Sequence, residues 1–241
     1  MAVWLDGCFW EGYFRSSFIP QIDAFCNAIM KRVIPVFANI AEEADDVAQS
    51  EYERYGSLPA TGDESWDMGD AAEWAQEIGL AHYVALTGVR QSLVNLAVVA
   101  LYHMFEQQLL LFHRKQVLHP SEEDNISKIK FRELQRRLKN GNLDIESLKS
   151  WAKVDELKLV ANSIKHAEGT SADKLKGLRP DLFVNPYFRE DDTQIFHPSR
   201  VYLPLAGKDI YVTIEDLEEY RIALTSFWDE FGNIVKVHSS K

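Results

Sequence analysis

Apolar residues recur at three- and four-residue steps along much of the chain, a spacing that places them on one face of an α-helix. The first such stretch runs from Phe18 to about Tyr55, and we expect Pro35 to kink or divide it. The second runs from about Asp70 to Leu118, with Gly79 and Gly88 as candidate breaks. These two stretches predict the long helices of the molecule.

Three shorter helices are predicted to follow. One covers Ile126 to Lys139 and is broken by the glycine that comes next. Another begins after an Asp144 N-cap and closes at Gly169. Thr213 and Asp216 have the spacing of a capping box, which predicts the start of a last helix.

The C-terminal third has a less regular pattern. Residues 179–199 contain three prolines and no clean period, so we expect an ordered surface excursion. Its aromatic residues should pack back onto the helices: Phe183, Tyr187, Phe188 and Phe196. Residues 201–205 and 209–212 flank Ala206-Gly207-Lys208, which predicts a small β-hairpin.

The pattern as a whole predicts an all-α fold in a single domain. Long helices joined by short breaks are typical of an antiparallel helical bundle. The core of the bundle is expected over about residues 18–169. The excursion, the hairpin and the last helix are expected over residues 170–241.

The composition is that of a globular protein with a negative net charge. Of the 241 residues, 46% are hydrophobic, and 26 Lys and Arg stand against 37 Asp and Glu, for a net charge of −11. Because such a protein repels polyanions on average, any nucleic-acid site must be local. Cys8 and Cys26 are too few for a disulfide framework or a thiolate zinc site, and they suit a reducing compartment.

The sequence predicts neither a signal peptide nor a membrane span. The N-terminus lacks a basic region followed by a continuous apolar region. The most hydrophobic stretch, Leu93 to Phe105, is shorter than the roughly 20 apolar residues that a span requires. We therefore expect a cytoplasmic protein without membrane contacts.

The strongest candidate for chemistry lies in the helix that ends near residue 166. Helical spacing places four polar side chains on one face of it: Lys158, Asn162, Lys165 and His166. Cations, an amide and an imidazole together are suited to holding and orienting a phosphate and to moving protons, because histidine titrates near neutral pH. The alternative interpretation is a solvated helix face that ends at a glycine.

A second polar group lies on the second long helix. His103 and Glu106 continue an apolar stripe together with either His113 or Arg114. On a buried face such residues must find partners or shift their pKa values, and they are placed to orient a histidine of a facing helix. The alternative is a satisfied polar pair inside a bundle core.

Metal and cofactor chemistry have no support in the sequence. A di-iron carboxylate bundle requires Glu-x-x-His pairs, and none occurs in the chain. The glycine-rich phosphate loop, the dinucleotide-binding fingerprint, the hydrolase elbow and the His-Glu-x-x-His zinc motif are also absent. We predict no metal site and no cofactor.

Two segments together resemble the HEPN superfamily: Ala161-Asn162-Ser163-Ile164-Lys165-His166 and residues 101–110 of the long helix. HEPN proteins are helical bundles frequent in bacterial toxin–antitoxin, anti-phage and CRISPR-associated systems. Many are metal-independent ribonucleases whose motif is often written Arg-Asn-x-x-x-His. Asn162 and His166 match the Asn and the His of this motif, whereas Ala161 stands where the family has its Arg.

The resemblance implies a mechanism and an assembly. The RNA 2′-OH would attack the adjacent phosphorus, His166 would transfer protons, and a cation would offset the charge of the phosphorane. Because Ala161 removes the family's cation, a lysine of the same face is its expected replacement, although Lys lacks the bidentate fork of Arg. Further donors on the long helix are Arg90 and Arg114. In the family the two motif helices commonly meet across a homodimer, so a homodimer is expected.

Alternative functions follow from these observations. The first is a metal-independent endoribonuclease or RNA-targeting effector of a bacterial defence or toxin system. The second is a non-catalytic HEPN-like subunit that binds a protein partner, such as an antitoxin or a defence-complex subunit, with the aromatics of residues 179–199. A third is a small-molecule-binding or nucleotide-binding bundle with its pocket between His103, Glu106 and His166.

Overall fold

The computed structural model of the protein describes residues 6–57, 68–122, 124–186 and 200–239. Within these ranges eight α-helices are joined by short π-helical and 3₁₀ turns: α1 (Gly7–Tyr13), α2 (Ile19–Ala28), α3 (Ile40–Gly56), α4 (Met68–Phe112), α5 (Phe131–Asn140), α6 (Trp151–His166), α7 (Thr170–Leu178) and α8 (Ile214–Ser239). The described residues contain no β-strand, which confirms the predicted all-α class.

The first helix begins earlier than predicted, and the N-terminal helical stretch is interrupted at Pro35, as predicted. The side chain of Asp6 accepts a hydrogen bond from the backbone nitrogen of Phe9 at 3.0 Å and caps α1. A 3₁₀ turn at Ile34–Phe37 then separates the preceding helical turns from α3. Pro35 has no N–H to donate within a helix, and this explains the interruption at this position.

The long helix α4 is not interrupted by either of its candidate breaks. It has 45 residues and is therefore about 67 Å long. A side chain at Gly79 would come within 2.8 Å of the carbonyl oxygen of Ala44 and 2.9 Å of the Cβ of Ala48 on α3. Glycine at this position allows α3 and α4 to approach closely, so it is a packing residue and not a break.

Two parts of the protein share α4. Its N-terminal half packs against α3, through Ala71, Ala75 and Gly79, to form a two-helix unit that we call the arm (α3 and residues 68–90 of α4). Its C-terminal half packs in a bundle with α1, α2, α6 and α8. The predicted helical bundle therefore describes only the second part.

The bundle core is dominated by aromatic side chains. Eleven of them are buried in one cluster: Trp10, Phe14, Phe18, Tyr102, Phe105, Phe112, Phe183, Tyr220, Phe227, Trp228 and Phe231. The indole of Trp228 donates to the side-chain oxygen of Gln108 at 2.9 Å, and the amide of Gln108 donates to the backbone oxygen of Phe18 at 3.3 Å. Buried indole groups need such partners, and these bonds fix α8 relative to α4 and α2.

The shorter helices differ from the prediction at their boundaries. Residues 126–128 form a separate 3₁₀ turn before α5, and Asp144 caps the 3₁₀ turn Ile145–Ser147 instead of α6. Gly169 was predicted to close a helix, but α6 ends at His166, and Gly169 lies directly before α7, which the sequence pattern did not predict. Glycine is common at both helix ends, so its presence alone does not fix the direction of the helix.

The predicted β-hairpin is wrong. Residues 204–206 form a 3₁₀ turn, followed by Gly207 in a left-handed conformation. The side chain of Asn95, buried in α4, donates to the backbone oxygens of Pro204 at 2.8 Å and Ile210 at 2.9 Å. The backbone nitrogens of Tyr202 and Leu203 donate to the carboxylate of Asp209. Side chains thus form the hydrogen bonds that the backbone of a second strand would form in a hairpin.

The capping box before the last helix is confirmed. The backbone nitrogen of Thr213 donates to the carboxylate of Asp216 at 2.9 Å, and the backbone nitrogen of Asp216 donates to the hydroxyl of Thr213 at 3.1 Å. These reciprocal bonds satisfy donors at the start of α8. In the predicted excursion, Phe183 is buried, whereas Tyr187, Phe188 and Phe196 lie outside the described residues.

Two largely helical stretches, residues 7–56 and 69–117, are long and apolar enough to cross a membrane by length and composition alone. The core helix of a soluble protein passes the same test. The absence of membrane contacts and the cytoplasmic location therefore remain predictions.

Replacing Gly207 with Ala is expected to lower the free energy of unfolding by about 2–4 kcal/mol. The left-handed backbone disfavours a side chain, and the new Cβ would overlap the carbonyl oxygen of Gly88 on α4. Urea denaturation measures the change. Gly177→Ala in α7 is the control, because no atom lies within 4 Å of its Cβ position. Equal losses in both variants would contradict this account.

Candidate functional site

The core fixes the orientation of α6 and thereby the face that it presents. The side chains of Leu157, Val160, Ala161 and Ile164 are all at most 1% exposed. Because these four residues point inward, the polar residues of the same helix are turned toward the surface. His166 is the last residue of α6.

Three residues at the end of α6 are available to a ligand. His166 and Lys165 are exposed, and Asn162 is half-buried one turn before His166. The side chains of Asn162, Lys165 and His166 form no hydrogen bond or ion pair with any described residue. A polar surface without internal partners offers its donors and acceptors to solvent or to a bound molecule. We call these three residues the α6 end.

Lys158 does not join this group in its interactions. Its ammonium lies 5.9 Å from the ring centroid of Phe131 on α5 and 3.7 Å from the carboxylate of Asp155. Lys158 therefore contacts residues outside the α6 end. Among the four predicted residues, Lys165 is the cation directly next to His166.

The position of the missing motif arginine is closed. Ala161 is only 1% exposed and packs within the hydrophobic core. An arginine side chain at this position would have to displace core side chains or leave the helix face on which it starts. A cation for the α6 end must therefore come from another position, such as Lys165 or Arg200, whose guanidinium lies 3.9 Å from the carboxylate of Glu168.

A tight turn joins the α6 end to α7. Ala167 has a φ of 58°, which is uncommon for a residue other than glycine, and Gly169 has a φ of 143°. Gly169 offers no side chain to cap the first amides of α7. Uncapped amides at a helix N-terminus attract anions, and these begin four residues after His166.

The second predicted group lies elsewhere and is less buried than expected. The ring of His103 and the carboxylate of Glu106 are 3.2 Å apart, and their side chains are 35% and 30% exposed. Burial, followed by the charges of Glu106 and Asp155, raises the pKa of Tyr102 above its usual range. Asp155 precedes His166 by eleven residues, or about 16 Å of helix.

Tyr102, the neighbour of His103, therefore lies near Asp155 in the first half of α6. Arg114, the third member of the predicted supporting group, is exposed and forms no hydrogen bond or ion pair with any described residue. No hydrogen bond or ion pair joins His103, Glu106 or Arg114 to the α6 end.

His113, the alternative to Arg114 on the predicted stripe, is the unusual histidine of the protein. It is fully buried where α4 passes into a π-helical turn, and neither ring nitrogen has a hydrogen-bond partner. Burial, assisted by the charge of Arg137, lowers its pKa to about 4. It is therefore neutral at physiological pH and belongs to the core.

Charge is distributed unevenly along the chain. Residues 114–179, which include α5, α6 and α7, contain fifteen Lys and Arg against ten Asp and Glu, although the whole chain has a net charge of −11. Seven exposed cations of this stretch form no hydrogen bond or ion pair with described residues: Arg114, Lys115, Lys130, Arg132, Lys149, Lys165 and Lys174. We call residues 114–179 the basic segment.

A buried charge cluster that sequence reasoning missed holds α6 in place. Arg179 donates to Glu156 at 2.6 Å, to Asp216 at 2.8 Å and to Asp181 at 2.7 Å. The hydroxyl of Tyr220 also donates to Glu156, at 2.9 Å. The hydrogen bond to Asp181, followed by the one to Asp216, raises the pKa of Arg179. The cluster connects α6, α8 and the turn after α7, and it is structural.

The cysteines and the acidic residues do not form a further site. No three His, Cys, Asp or Glu residues within the described ranges are grouped in a way that could hold a metal ion. Burial raises the pKa of the Cys26 thiol to about 12, so this cysteine is not a nucleophile at neutral pH. Cys8 is exposed.

The chain matches no protein-family model, no curated protein and no solved structure. The resemblance to the HEPN superfamily accordingly rests on the residues of α6 and α4 alone.

Acid should destabilise the protein partly through His113. Its folded-state pKa of about 4 lies below the ordinary value of 6.5, so the unfolded state binds more protons between these values. The free energy of unfolding should therefore fall by up to about 3 kcal/mol from this residue as the pH drops from 7 to 4. In His113→Leu, urea denaturation across this range should show a smaller loss.

His119→Gln is the control for this experiment, because His119 is exposed. Its pH dependence should match that of the wild type. If His113→Leu loses stability with acid as steeply as the wild type does, the buried neutral imidazole is not the cause.

Proposed function

We propose that this protein binds RNA at the α6 end and, together with a second copy, cleaves it without a metal ion, as an effector of a bacterial defence or toxin system. The observation that carries the proposal is the exposure of Asn162, Lys165 and His166 side by side, without internal partners among the described residues. The resemblance to HEPN ribonucleases supplies the reaction type. The free cysteines suit a cytoplasmic setting.

The proposed chemistry needs two proton-transfer groups. His166 of one copy removes the proton from the 2′-OH, whose oxygen attacks the adjacent phosphorus. The bond from phosphorus to the 5′ oxygen then breaks as His166 of the second copy protonates the leaving oxygen. The products are a 2′,3′-cyclic phosphate and a 5′-hydroxyl. One histidine per chain fits this division of labour between base and acid.

The other residues of the α6 end have supporting roles in the proposal. Lys165 offsets the charge of the phosphorane as a point charge. Asn162, one turn before His166, donates a hydrogen bond to a phosphate oxygen and orients it. The basic segment provides the longer contact with the RNA backbone, which the acidic remainder of the chain repels.

Cleavage is tested by incubating the purified protein with total RNA, with and without EDTA. We expect wild-type cleavage to survive the chelator and to leave cyclic phosphate ends. His166→Ala should reduce the rate by at least about 100-fold, whereas His238→Ala at the end of α8 should not. The proposal of catalysis fails if the wild type cuts no RNA or if the His166 variant cuts equally well.

RNA binding is tested separately by fluorescence anisotropy across a range of salt concentrations. Lys165→Ala should weaken binding and reduce the slope of log affinity against log salt by about one, because it removes one phosphate contact. Lys31→Ala, an exposed cation outside the basic segment, is the matched control. Equal effects of both variants would show that the contact is not at the α6 end.

A second candidate function is a non-catalytic HEPN-like subunit that binds a protein partner. The buried Ala161 favours it, because the core leaves no room at this position for the arginine of the family motif. In that case the wild type binds one protein partner in stoichiometric amounts and leaves RNA intact. Mass measurement of the complex purified from its natural host distinguishes this function from the first.

A further inference from the structure

The arm has an open apolar groove on α4. The groove has a volume of roughly 670 Å³ and follows residues 77–92 of α4 up to Ala206 and Lys208. Leu80 and Val84, which line it, are 64% and 56% exposed. Contiguous exposed apolar patches on a protein surface mark interaction sites or ligand-binding grooves.

Among the residues that the structure describes, no helix covers this groove. One side of α4 is buried against α3 through Ala71, Ala75 and Gly79. The other side has Leu80 and Val84 in the open groove. A helix with apolar residues on both sides is stable in water when both sides are covered, and a two-helix unit covers only one.

The two ends of the groove differ in charge. Glu77 lines the N-terminal end, and Asp70 and Glu73 precede it at spacings that place all three on one side of α4. Lys208 lines the opposite end. A second α4 in parallel orientation would bring these acidic groups together, whereas an antiparallel one brings Glu77 to Lys208.

We propose that the groove binds the same groove of a second copy of this chain, with the two α4 helices antiparallel. The two arms then form a four-helix bundle with α4 of each copy in its centre. Such a contact is isologous, so each residue meets its counterpart across a two-fold axis and the assembly closes as a dimer.

The register follows from the positions of the large and small residues. With Val84 at the two-fold axis, Leu80 of one copy lies opposite Gly88 of the other. Gly88 has no side chain, and the nearest atom to its Cβ position is the oxygen of Ala206, at 3.5 Å. The leucine of the second copy then packs beside Gly88 and against Ala206, which also lines the groove. Glu77 of each copy then lies toward Lys208 of the other.

Dimerisation is tested by sedimentation equilibrium of the full chain. We expect the wild type to dimerise at micromolar concentrations and Val84→Glu to be monomeric. Val36→Glu is the matched control, because Val36 is 71% exposed and lies outside the groove. Circular dichroism confirms that both variants are folded. A stable contact should form at concentrations below about 100 µM, so a wild type that is still monomeric there overturns the proposal. Equal effects of both variants on dimerisation also overturn it.

The charge pair tests the orientation. Glu77→Lys and Lys208→Glu should each weaken dimerisation by about tenfold, and the double variant should restore it to near the wild-type value. Additive losses in the double variant would overturn the antiparallel arrangement. His166→Ala should dimerise like the wild type, since His166 does not line the groove, so this result is distinct from that of the RNA experiments.

Discussion

The structure depends on how the surface of one long helix is covered. α4 extends through both the bundle and the arm, and it has apolar residues on more than one side. In the bundle, neighbouring helices cover most of its surface apart from a stripe that includes Leu96 and Leu111, and its buried polar residues must then find partners. Asn95 and Gln108 do so through bonds to backbone oxygens and an indole, and these bonds position the 204–210 turn and α8. In the arm, α3 is the one described helix that packs on it, and the groove on its other side is open among the described residues.

The helices that follow a regular apolar period could be predicted from the sequence, since burial of one face requires that period. α4, α6 and α8 were predicted in this way. The prediction of the hairpin was wrong because a short alternating run does not show which group forms hydrogen bonds with its backbone. That group can be a partner strand or a polar side chain. Asn95 lies more than a hundred residues away in the chain and takes that role. The presence of α7 was missed because Gly169 reads equally well as an end or a beginning.

The candidate site was predictable to the same extent. The inward face of α6 follows from its period, so the outward placement of Asn162 and His166 follows as well. The direction in which Lys158 turns does not, because it depends on the ring of Phe131 on another helix. The cluster around Arg179 was also beyond sequence reasoning. It gathers single charged residues from three segments, and only its capping pair has a recognisable spacing.

The acidic and the basic parts of the chain form different surfaces, and each surface suits a different interaction. α3 contains six acidic residues and one arginine, so the charge of the arm repels RNA and also repels a second arm. Association through the arm must then rely on apolar contact and on the few cations near the groove, of which Lys208 is the one that lines it. The basic segment has the opposite property and attracts a polyanion. Self-association and RNA binding, as proposed, use surfaces of opposite charge, and an increase in salt should weaken the second much more than the first, because apolar burial is not screened.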